Sequence, residues 1–365
     1  MKVAIFCHSL VSGWNHGNAH FLRGIVTELQ DRGHSVSVFE PRDNWSRTNL
    51  VRDKGAGAVA RFEAKFPALR SEAYDLDNLD LAATLDDVDL VLVHEWNEPE
   101  LVRRVGAHRA SRPGLRVLFH DTHHRAVTAP EQMQRFDLSY YDGVLAFGEV
   151  IRQIYAERGW SERTWTWHEA ADTTVFKPTP GVDLEQDVVW IGNWGDDERT
   201  EELYEFLLGP LGDLGLSATI YGVRYPAAAR AEVAAVGAEY RGWLPNYEVP
   251  RAFAASSLTV HVPRRPYVRA LPGIPTIRVF EALACGIPLI CSPWDDAEHL
   301  FKPGEDYLVA HNRQQMTRHM KEILNEPELA AYLRRSGLER IAQRHTCAHR
   351  VDELLRVCTE IGVAS

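Results

Sequence analysis

The stretch PGIPTIRVFEALACGIPLI, residues 272–290, contains a rigid turn, a short helical pattern and the start of an apolar strand. Prolines and a glycine restrict the turn, and Thr276 is a candidate N-cap for a helix that ends at about Cys285. Gly286 and Pro288 then predict a second turn into the apolar run IPLICS. A turn, a helix and a buried strand in this order are typical of a parallel α/β sheet.

The same alternation runs through both halves of the 365-residue chain. In the first half, the apolar runs that end in polar residues are KVAIFC, HSVSVFEP, VDLVLVHEW, LRVLFHD and YDGVLAFG. In the second half they are DVVWIGNWG, LSATIYG, EYRGWL, SSLTVHV and IPLICS. Near-continuous apolar strands separated by helical patterns predict parallel sheets covered by helices. We therefore expect an α/β protein with two Rossmann-like domains that face one another across a cleft.

Composition along the chain places the domain boundaries. Residues 169–186 contain two prolines, a glycine and little periodicity, which is typical of a linker. We predict an N-terminal Rossmann-like domain over 1–168 and a C-terminal Rossmann-like domain over 187–345. The remainder, 346–365, is predicted to be a helix and a candidate for crossing back, so that the C-terminal helices pack toward the N-terminal domain.

Charge and cysteine usage limit the class of protein. The net charge of −11 argues against a nucleic-acid partner. Five cysteines without a CxxC pair indicate reduced thiols and a cytoplasmic location. The amino terminus is too short and too polar for a signal peptide, and no apolar run approaches the ~18 residues of a transmembrane segment. The basic segment 42–70 is either a solvated helical face or a contact for a membrane surface or an anionic acceptor.

Polar residues follow the predicted strands, where open parallel sheets bind ligands. The loop HSLVSGWNHGN contains Gly13, and its N–H groups either approach a phosphate or belong to an ordinary strand-to-helix connection. His94, Asn97, His120 and His123 follow later strands. Each histidine either forms structural hydrogen bonds or contacts a ligand in a sugar or phosphate pocket, and we favour the second role for His120.

The common catalytic motifs are missing from the sequence. His16 and His20 are at i, i+4 spacing, but zinc needs three or four ligands and no short motif supplies them, so we predict no metal. The sequence contains neither the GxSxG motif of serine hydrolases nor the P-loop of nucleotide triphosphatases.

The helix after Thr276 has the chemistry of a nucleotide site. N–H groups at its first turn favour a diphosphate, and Arg278 in that turn adds a positive charge. Glu281 lies five residues beyond Thr276, and a carboxylate there accepts hydrogen bonds from a ribose diol or is a buried structural group.

The segment PTIRVFEALACGIPLICSPWDDAEHLFKPGEDYLV, residues 275–309, resembles the donor-binding segment of GT-B glycosyltransferases of the family 4 (group 1) kind. Its R-x-F-E-A-x-A-x-G pattern is similar to the spore-maturation-type branch, and RHTCAHRVDELL resembles the H-T-x-x-x-R tail of that branch. The start of the second domain in this family is similar to WIGNWGDDERTEELYEF, and its hinge is similar to ADTTVFKP. The first helix and second strand of the family are similar to HGNAHFLRGIVTELQDRGHSVSVFE. The resemblance covers nearly the whole chain.

The resemblance implies an enzyme that transfers a sugar from a nucleotide diphosphate donor to an acceptor. It implies retention of the anomeric configuration and neither an obligatory metal nor another cofactor. The N-terminal domain would bind the acceptor, which is a polysaccharide, a protein or a small molecule, and the C-terminal domain would bind the donor. The alternatives are an inactive nucleotide-sugar-binding protein, or a nucleotide-sugar epimerase or a phosphorylase on the same fold.

The resemblance also implies roles for individual residues. Arg199 would contact the diphosphate and stabilise the leaving group, Glu281 would hold the ribose hydroxyls, and His120 would lie near the transferred sugar as the third catalytic candidate. The remaining candidates are Gly13, Asn193, Gly273, Ile274, Pro275, Thr276 and Arg278 for the donor diphosphate, Gly242 and Trp243 for the base, and His16, His94, Asn97 and His123 for the acceptor side.

Two positions depart from the family pattern. Gly273 stands where many relatives have a glutamate that contacts the donor sugar, and Asn193 stands where relatives often have an arginine. Arg199 is therefore the clearest basic contact in its loop, and Arg278 is a candidate for compensation.

Overall fold

The computed structural model describes residues 1–363, which divide into two compact units. Unit 1 contains Met1–Glu169 and the described residues from Cys347 onward. Unit 2 contains Ala170–Thr346.

Unit 1 is built on a seven-stranded sheet in which every pair of neighbouring strands is parallel. Its strands in chain order are β1 (Lys2–Phe6), β2 (Ser35–Pro41), β3 (Glu72–Tyr74), β4 (Leu90–His94), β5 (Arg116–Asp121), β6 (Gly143–Ala146) and β7 (Thr164–Thr166). The spatial order is β3-β2-β1-β4-β5-β6-β7. The central strands are buried and almost wholly apolar, as expected for a parallel sheet covered on both faces.

Helices cover the sheet of unit 1, and the last helix of the chain belongs to this unit. They are α1 (Ala19–Asp31), α2 (Trp45–Lys54), α3 (Gly57–Lys65), α4 (Leu81–Thr84), α5 (Pro99–Ser111), α6 (Arg125–Thr128), α7 (Pro130–Met133), α8 (Glu149–Arg158) and, from the chain end, Cys347–Glu360, with a 3₁₀ turn at Leu76–Asn78. The terminal helix packs against α1, where Arg32 forms an ion pair with Asp352 at 2.6 Å. The indole of Trp167 donates to the main-chain oxygen of Arg350 at 2.8 Å.

Unit 2 contains a second sheet of six strands, again parallel throughout. Its strands are β8 (Gln186–Ile191), β9 (Ala218–Tyr221), β10 (Glu239–Gly242), β11 (Ser256–His261), β12 (Leu289–Cys291) and β13 (Leu308–Val309). The spatial order is β10-β9-β8-β11-β12-β13. Two parallel sheets flanked by helices confirm the prediction of two Rossmann-like domains.

The helices of unit 2 include one formed by residues of the 272–290 stretch. They are α9 (Thr200–Leu203), α10 (Gly209–Leu214), α11 (Ala227–Ala235), α12 (Val249–Ala254), α13 (Arg265–Ala270), α14 (Ile277–Cys285), α15 (Arg313–Asn325) and α16 (Pro327–Arg344), with a π-helical turn at Tyr204–Leu208 and a 3₁₀ turn at Asn246–Glu248. The terminal helix of unit 1 is accordingly α17. Gly286 ends α14 with φ +67°, a left-handed conformation that glycine adopts without strain.

Among residues 1–363, no helix is long and apolar enough to cross a membrane. The five cysteines are free thiols, and all are buried.

Candidate functional site

In unit 2, the guanidinium of Arg199 connects the ends of two neighbouring strands, β8 and β11. Its Nη1 donates to the main-chain oxygen of Val262 at 2.8 Å, and its Nη2 donates to both oxygens of Asn193, at 2.6 and 2.9 Å. The residue is 9% exposed, and its Nε has no hydrogen-bond acceptor in the described part of the chain. A buried cation with an unused donor at the carboxyl ends of parallel strands is suited to an anionic ligand.

Two further arginines lie near Arg199. Arg264 donates to the side-chain oxygen of Asn193 at 3.2 Å and forms an ion pair with Glu198 at 3.1 Å. Burial, followed by the positive charge of Arg264, lowers the pKa of Arg199 to about 10. Burial and the charge of Arg199 lower the pKa of Arg278 to about 9. Because these cations repel one another at a buried site, a bound anion would relieve the repulsion.

Helix α14 begins beside this group of arginines. Thr276 occupies the N-cap position, but its side chain does not cap the helix. Its hydroxyl instead pairs with Nε2 of His261 at 2.9 Å. The N–H groups of the first turn of a helix lack intrahelical acceptors, and the helix dipole favours an anion there. The expected helix bounds are therefore correct, but the threonine orients His261 rather than the helix terminus.

His261 is a polar residue of this site that the sequence analysis did not identify. It ends β11, is 3% exposed, and its Nδ1 has no partner within residues 1–363. Burial and the nearby charges of Arg199 and Arg278 lower its pKa to about 3, so the imidazole is neutral at pH 7. The only sequence signals were the strand-end position of the histidine and the two arginines shortly after it, in HVPRRP.

Glu281 is fully buried and forms an ion pair with Arg278, three residues earlier on α14. The structure thus places in contact two residues that the sequence predicted to bind different parts of a nucleotide, the ribose for Glu281 and the diphosphate for Arg278. A carboxylate without exposure to water requires such a partner, since burial of an isolated charge is costly. The pair explains how an acidic residue is accommodated in this apolar helix.

The turn before α14 packs tightly against the segment that follows β12. Gly273 has φ +83°, and its N–H donates to the main-chain oxygen of Asp295 at 2.7 Å. A Cβ at Gly273 would lie 2.7 Å from the carboxylate oxygen Oε1 of Glu298. Ile274 and Pro275 are buried, so these two residues present little side-chain surface to a ligand. The carboxylate of Glu298 therefore lies where a side chain at residue 273 would begin.

The two residues predicted to contact a base lie at the sheet edge. Gly242 ends β10 with φ +71°, and its carbonyl accepts the N–H of Gly222 at 2.8 Å. Trp243 follows, and its buried indole N–H has no acceptor among the described residues. Strands β9 and β8 separate β10 from β11, so these residues lie about three strand spacings, roughly 14 Å, from the end of β11.

In unit 1, a buried hydrogen-bond network holds the loop after β1. The carboxylate of Glu40 accepts the N–H groups of Leu10 and Val11 at 2.6 and 3.1 Å. The guanidinium of Arg23 donates to the main-chain oxygens of the same two residues at 2.6 and 3.0 Å. Gly13 lies in the following part of this loop and is half-buried. The network fixes the course of the loop, which the sequence pattern could not indicate.

Three of the predicted histidines converge at the carboxyl end of this sheet or next to it. His94 and His120 are register partners on β4 and β5, with ring centroids 5.2 Å apart. His16 is buried beside His8, at 5.2 Å between ring centroids. Burial lowers the pKa of His120 to about 3 and lowers those of His16 and His94 well below the ordinary value, so all three are neutral.

These imidazoles retain unused hydrogen-bonding atoms. Nδ1 of His94, Nε2 of His120 and Nε2 of His16 are buried and have no partner within the described chain. His94 uses its other nitrogen with the hydroxyl of Thr122 at 3.1 Å. His120 packs against the indole of Trp167, with ring centroids 4.8 Å apart.

The other two acceptor-side candidates differ in their surroundings. Asn97 donates to the main-chain oxygens of Phe6 and His94 at 2.8 Å each and accepts the hydroxyl of Tyr74 at 3.0 Å. Its amide therefore stabilises the strand end. His123 is half-buried and packs against the indole of Trp96 at 4.9 Å between ring centroids.

A buried acidic pair lies beside the histidines. Burial raises the pKa values of Glu95 and Asp121, and the positive charge of Arg125 opposes both shifts. Arg125 forms an ion pair with Glu95, and Asp121 accepts the hydroxyl of Tyr155 at 3.0 Å. Both acids adjoin the histidines in HEWN and HDTHH, but the sequence could not show that they face inward. Within residues 1–363, no group of three or more His, Cys, Asp or Glu side chains is arranged to hold a metal ion.

One protein-family model matches part of the chain. Residues 199–356 match a family model described as glycosyl transferase-like. This range contains Arg199, the turn before α14 and Glu281. No curated protein sequence matches the chain significantly.

Solved structures of glycosyltransferases have the same fold over nearly the whole chain. Sucrose-phosphate synthase from Thermosynechococcus elongatus matches 99% of this chain with 100% of its own, at a TM-score of 0.64 and 16% identity. HepE from Anabaena, in complex with UDP-glucose, matches 99% of this chain with 100% of its own, at a TM-score of 0.66 and 14% identity. An alpha-glucosyltransferase in complex with UDP-glucose and DNA matches 98% of this chain with 99% of its own, at a TM-score of 0.68 and 13% identity. The prediction of a GT-B fold with two Rossmann-like domains is confirmed.

Proposed function

We propose that the protein is a glycosyltransferase that moves a sugar from a nucleoside diphosphate-sugar to an acceptor hydroxyl. The observation on which this depends most is the buried Arg199, whose Nε has no acceptor among residues 1–363 although the guanidinium lies at two strand ends. The fold and the match over residues 199–356 support the reaction class. UDP-sugars are the first donors to test, because similar structures contain UDP or UDP-glucose.

The diphosphate would bind between Arg199 and the first turn of α14. Negative charge develops on the departing diphosphate as the glycosidic bond breaks, and preorganised cations stabilise that charge. Arg199, Arg264 and Arg278 supply positive charge here, which supports a reaction that needs no bound metal. The further contacts that we propose for the diphosphate are the turn 273–275, the N–H groups of Thr276 and of the first turn of α14, and Asn193.

When the donor binds, Glu281 and Arg278 would break their ion pair, and each would contact a different part of the nucleotide. In the proposed complex, the carboxylate of Glu281 accepts the ribose hydroxyls and Arg278 contacts the diphosphate. The existing ion pair keeps both charges compensated before the donor binds. Trp243 would contact the base, with its indole N–H available as a donor.

Unit 1 would bind the acceptor, and His120 is the catalytic candidate that we propose in this unit. The neutral imidazoles of His16 and His94 have atoms available for hydroxyl groups. We also propose retention of the anomeric configuration, which proton NMR of the first-formed product would test. Free thiols at all five cysteines support a cytoplasmic location.

Thermal stabilisation by nucleotides tests the proposal. The ligands are UDP, GDP, ADP and their sugar conjugates, and the variants are Arg199→Ala, Glu281→Ala and the surface control Arg318→Ala. A ligand at ~100 times its dissociation constant should stabilise the folded state by roughly 2.7 kcal/mol. We expect one nucleotide family to stabilise the wild type and the control but neither site variant. Stabilisation of all four proteins alike, or of none, would contradict the proposed donor site.

Measurement of nucleotide release then separates an enzyme from an inactive binder. With the stabilising nucleotide-sugar, the wild type should release the nucleoside diphosphate slowly to water and faster to an acceptor. Binding without any release would favour the inactive nucleotide-sugar-binding protein.

A further inference from the structure

The indole of Trp96 is an exposed aromatic surface beside the histidines of unit 1. Trp96 lies two residues after β4 and is 41% exposed, although three side chains contact its ring. The guanidinium carbon of Arg125 lies 4.4 Å from the ring centroid, and the rings of His123 and His8 lie at 4.9 and 6.1 Å. An ordinary surface tryptophan does not require such support, so these contacts hold the indole in a fixed orientation.

The polar groups near this indole are predominantly neutral. Burial lowers the pKa of His8 to about 4 and that of His16 well below its ordinary value. Arg125 is the one cation in contact with the indole among the described residues, and its charge is compensated by the buried Glu95. An anionic ligand would therefore find no uncompensated positive charge on this surface.

An unused hydrogen-bonding atom lies behind the same surface. His8 contacts both Trp96 and His16, and Nε2 of His16 is buried without a partner among residues 1–363. A polar atom that is more than nine-tenths buried and unpaired is unusual in a stable fold. A ligand with several hydroxyl groups would satisfy such atoms, since a hydroxyl both donates and accepts.

An exposed indole combined with neutral imidazoles matches the two surfaces of a sugar ring. The C–H face of a pyranose carries partial positive charge and is attracted to the negative face of an aromatic ring, while its hydroxyls hydrogen-bond at the edge. We propose that Trp96, together with His8 and His16, forms a binding site for a neutral carbohydrate acceptor. This assignment of an acceptor class depends on the proposed glycosyl transfer, but binding of a sugar to unit 1 is measurable without it.

Ligand-observed saturation-transfer NMR tests this site directly. The probes are maltose, cellobiose and methyl α-glucoside as neutral sugars and glucuronic acid as the anionic comparison. The variants are Trp96→Ala, Trp96→Phe and the matched control Trp45→Ala, which removes another exposed tryptophan of unit 1, 45% exposed. Circular dichroism and the melting temperature of each variant would establish that it is folded.

We expect at least one neutral sugar to bind the wild type and Trp45→Ala with similar affinity. Binding should weaken about tenfold in Trp96→Ala, the effect of roughly 1.4 kcal/mol of lost stacking, and less in Trp96→Phe. Glucuronic acid should bind more weakly than the neutral sugars. Equal binding by Trp96→Ala, preferential binding of glucuronic acid, or no binding of any neutral sugar would overturn the proposal.

The donor experiments keep this result separate from the proposed function. If nucleotides fail to stabilise the wild type while neutral sugars bind through Trp96, the carbohydrate site stands and glycosyl transfer fails. If nucleotides stabilise the protein and are released as proposed while no neutral sugar binds, glycosyl transfer stands and the acceptor class is wrong.

Discussion

Both oxygens of Asn193 accept hydrogen bonds from Nη2 of Arg199, at 2.6 Å for the main-chain oxygen and 2.9 Å for the side-chain oxygen. The same side-chain oxygen accepts Nη2 of Arg264 at 3.2 Å. One amide oxygen thus holds two arginines whose charges repel each other. Asn193 therefore orients the proposed diphosphate contact.

Removal of the Asn193 side chain should weaken donor binding without removing any positive charge. In Asn193→Ala, Arg199 and Arg264 lose a shared acceptor, and a hydrogen bond to a charged group contributes about 1.5–3 kcal/mol. We expect the affinity for the stabilising nucleoside diphosphate to fall about 10- to 100-fold, as measured by isothermal titration calorimetry. An unchanged affinity would show that the arginines are held by their other contacts alone.

Gly273→Ala should disturb both the turn before α14 and the carboxylate of Glu298. The new methyl group would lie within 2.7 Å of Oε1 of Glu298, and a left-handed φ of +83° is unfavourable for alanine. The matched control is Gly304→Ala, at φ +85° but with no neighbouring atom within 4 Å of the added Cβ. Both variants should lose about 1 kcal/mol of unfolding free energy from backbone strain.

The additional effect of Gly273→Ala isolates the contact with Glu298. We expect a larger loss of stability than in Gly304→Ala, measured by urea unfolding, together with weaker nucleotide binding. Equal unfolding free energies and equal nucleotide affinities in the two variants would show that Glu298 moves away without consequence.

Reversal of the Glu281–Arg278 pair should preserve the charge balance and abolish donor binding. In the double variant Arg278→Glu, Glu281→Arg, an ion pair remains possible, so much of the stability should be retained. The single variant Glu281→Ala leaves the half-buried Arg278 without its partner and should cost about 3 kcal/mol of unfolding free energy. Calorimetry should show no nucleotide binding by the double variant, because the carboxylate no longer lies at the proposed ribose position. Wild-type affinity in the double variant would contradict the ribose assignment.

Glu169 should make the stability of the fold dependent on pH. Burial raises its pKa from 4.5 to about 8 in the folded protein. The folded state therefore keeps a proton that the unfolded chain releases, so this contribution is present below about pH 4.5 and is lost as the pH rises toward 8. Glu169→Gln removes the titration, and the variant should lose less stability than the wild type between pH 5 and pH 8.

Urea unfolding at several pH values would measure the difference. The expected change is on the order of a few kcal/mol across this range, from the size of the shift in pKa. Parallel pH profiles of the wild type and the variant would show that Glu169 titrates at its ordinary pKa.

The sequence predicted the elements more completely than the contacts of the site. Strand ends and the bounds of α14 follow from local apolar runs, glycine and proline, while the roles of Arg199 and Glu281 remain proposals. The ion pair between Arg278 and Glu281 depends on the directions of two side chains on one helix. Their i, i+3 spacing permits this contact but does not determine it. Contacts over long sequence separations, such as that of Arg199 with Val262, can be predicted only when the order of strands in the sheet is known.

The residues that the sequence analysis missed share one property. His261, Glu95 and Asp121 are polar residues at the ends of apolar strands, and their importance depends on burial rather than on motif. Thr276 shows the reverse case, because its N-cap position was predicted but its hydroxyl contacts His261 instead of capping the helix. Tertiary hydrogen bonds thus decide roles that local sequence patterns leave open.

The most direct test of the donor site compares UDP with uridine by isothermal titration calorimetry, for the wild type and Arg199→Ala. The central claim is that Arg199 binds the diphosphate of a nucleotide donor. We predict that the wild type binds UDP at least 10-fold more tightly than uridine and that Arg199→Ala loses this preference. Equal affinities of the wild type for UDP and uridine, or an undiminished preference in Arg199→Ala, would contradict it.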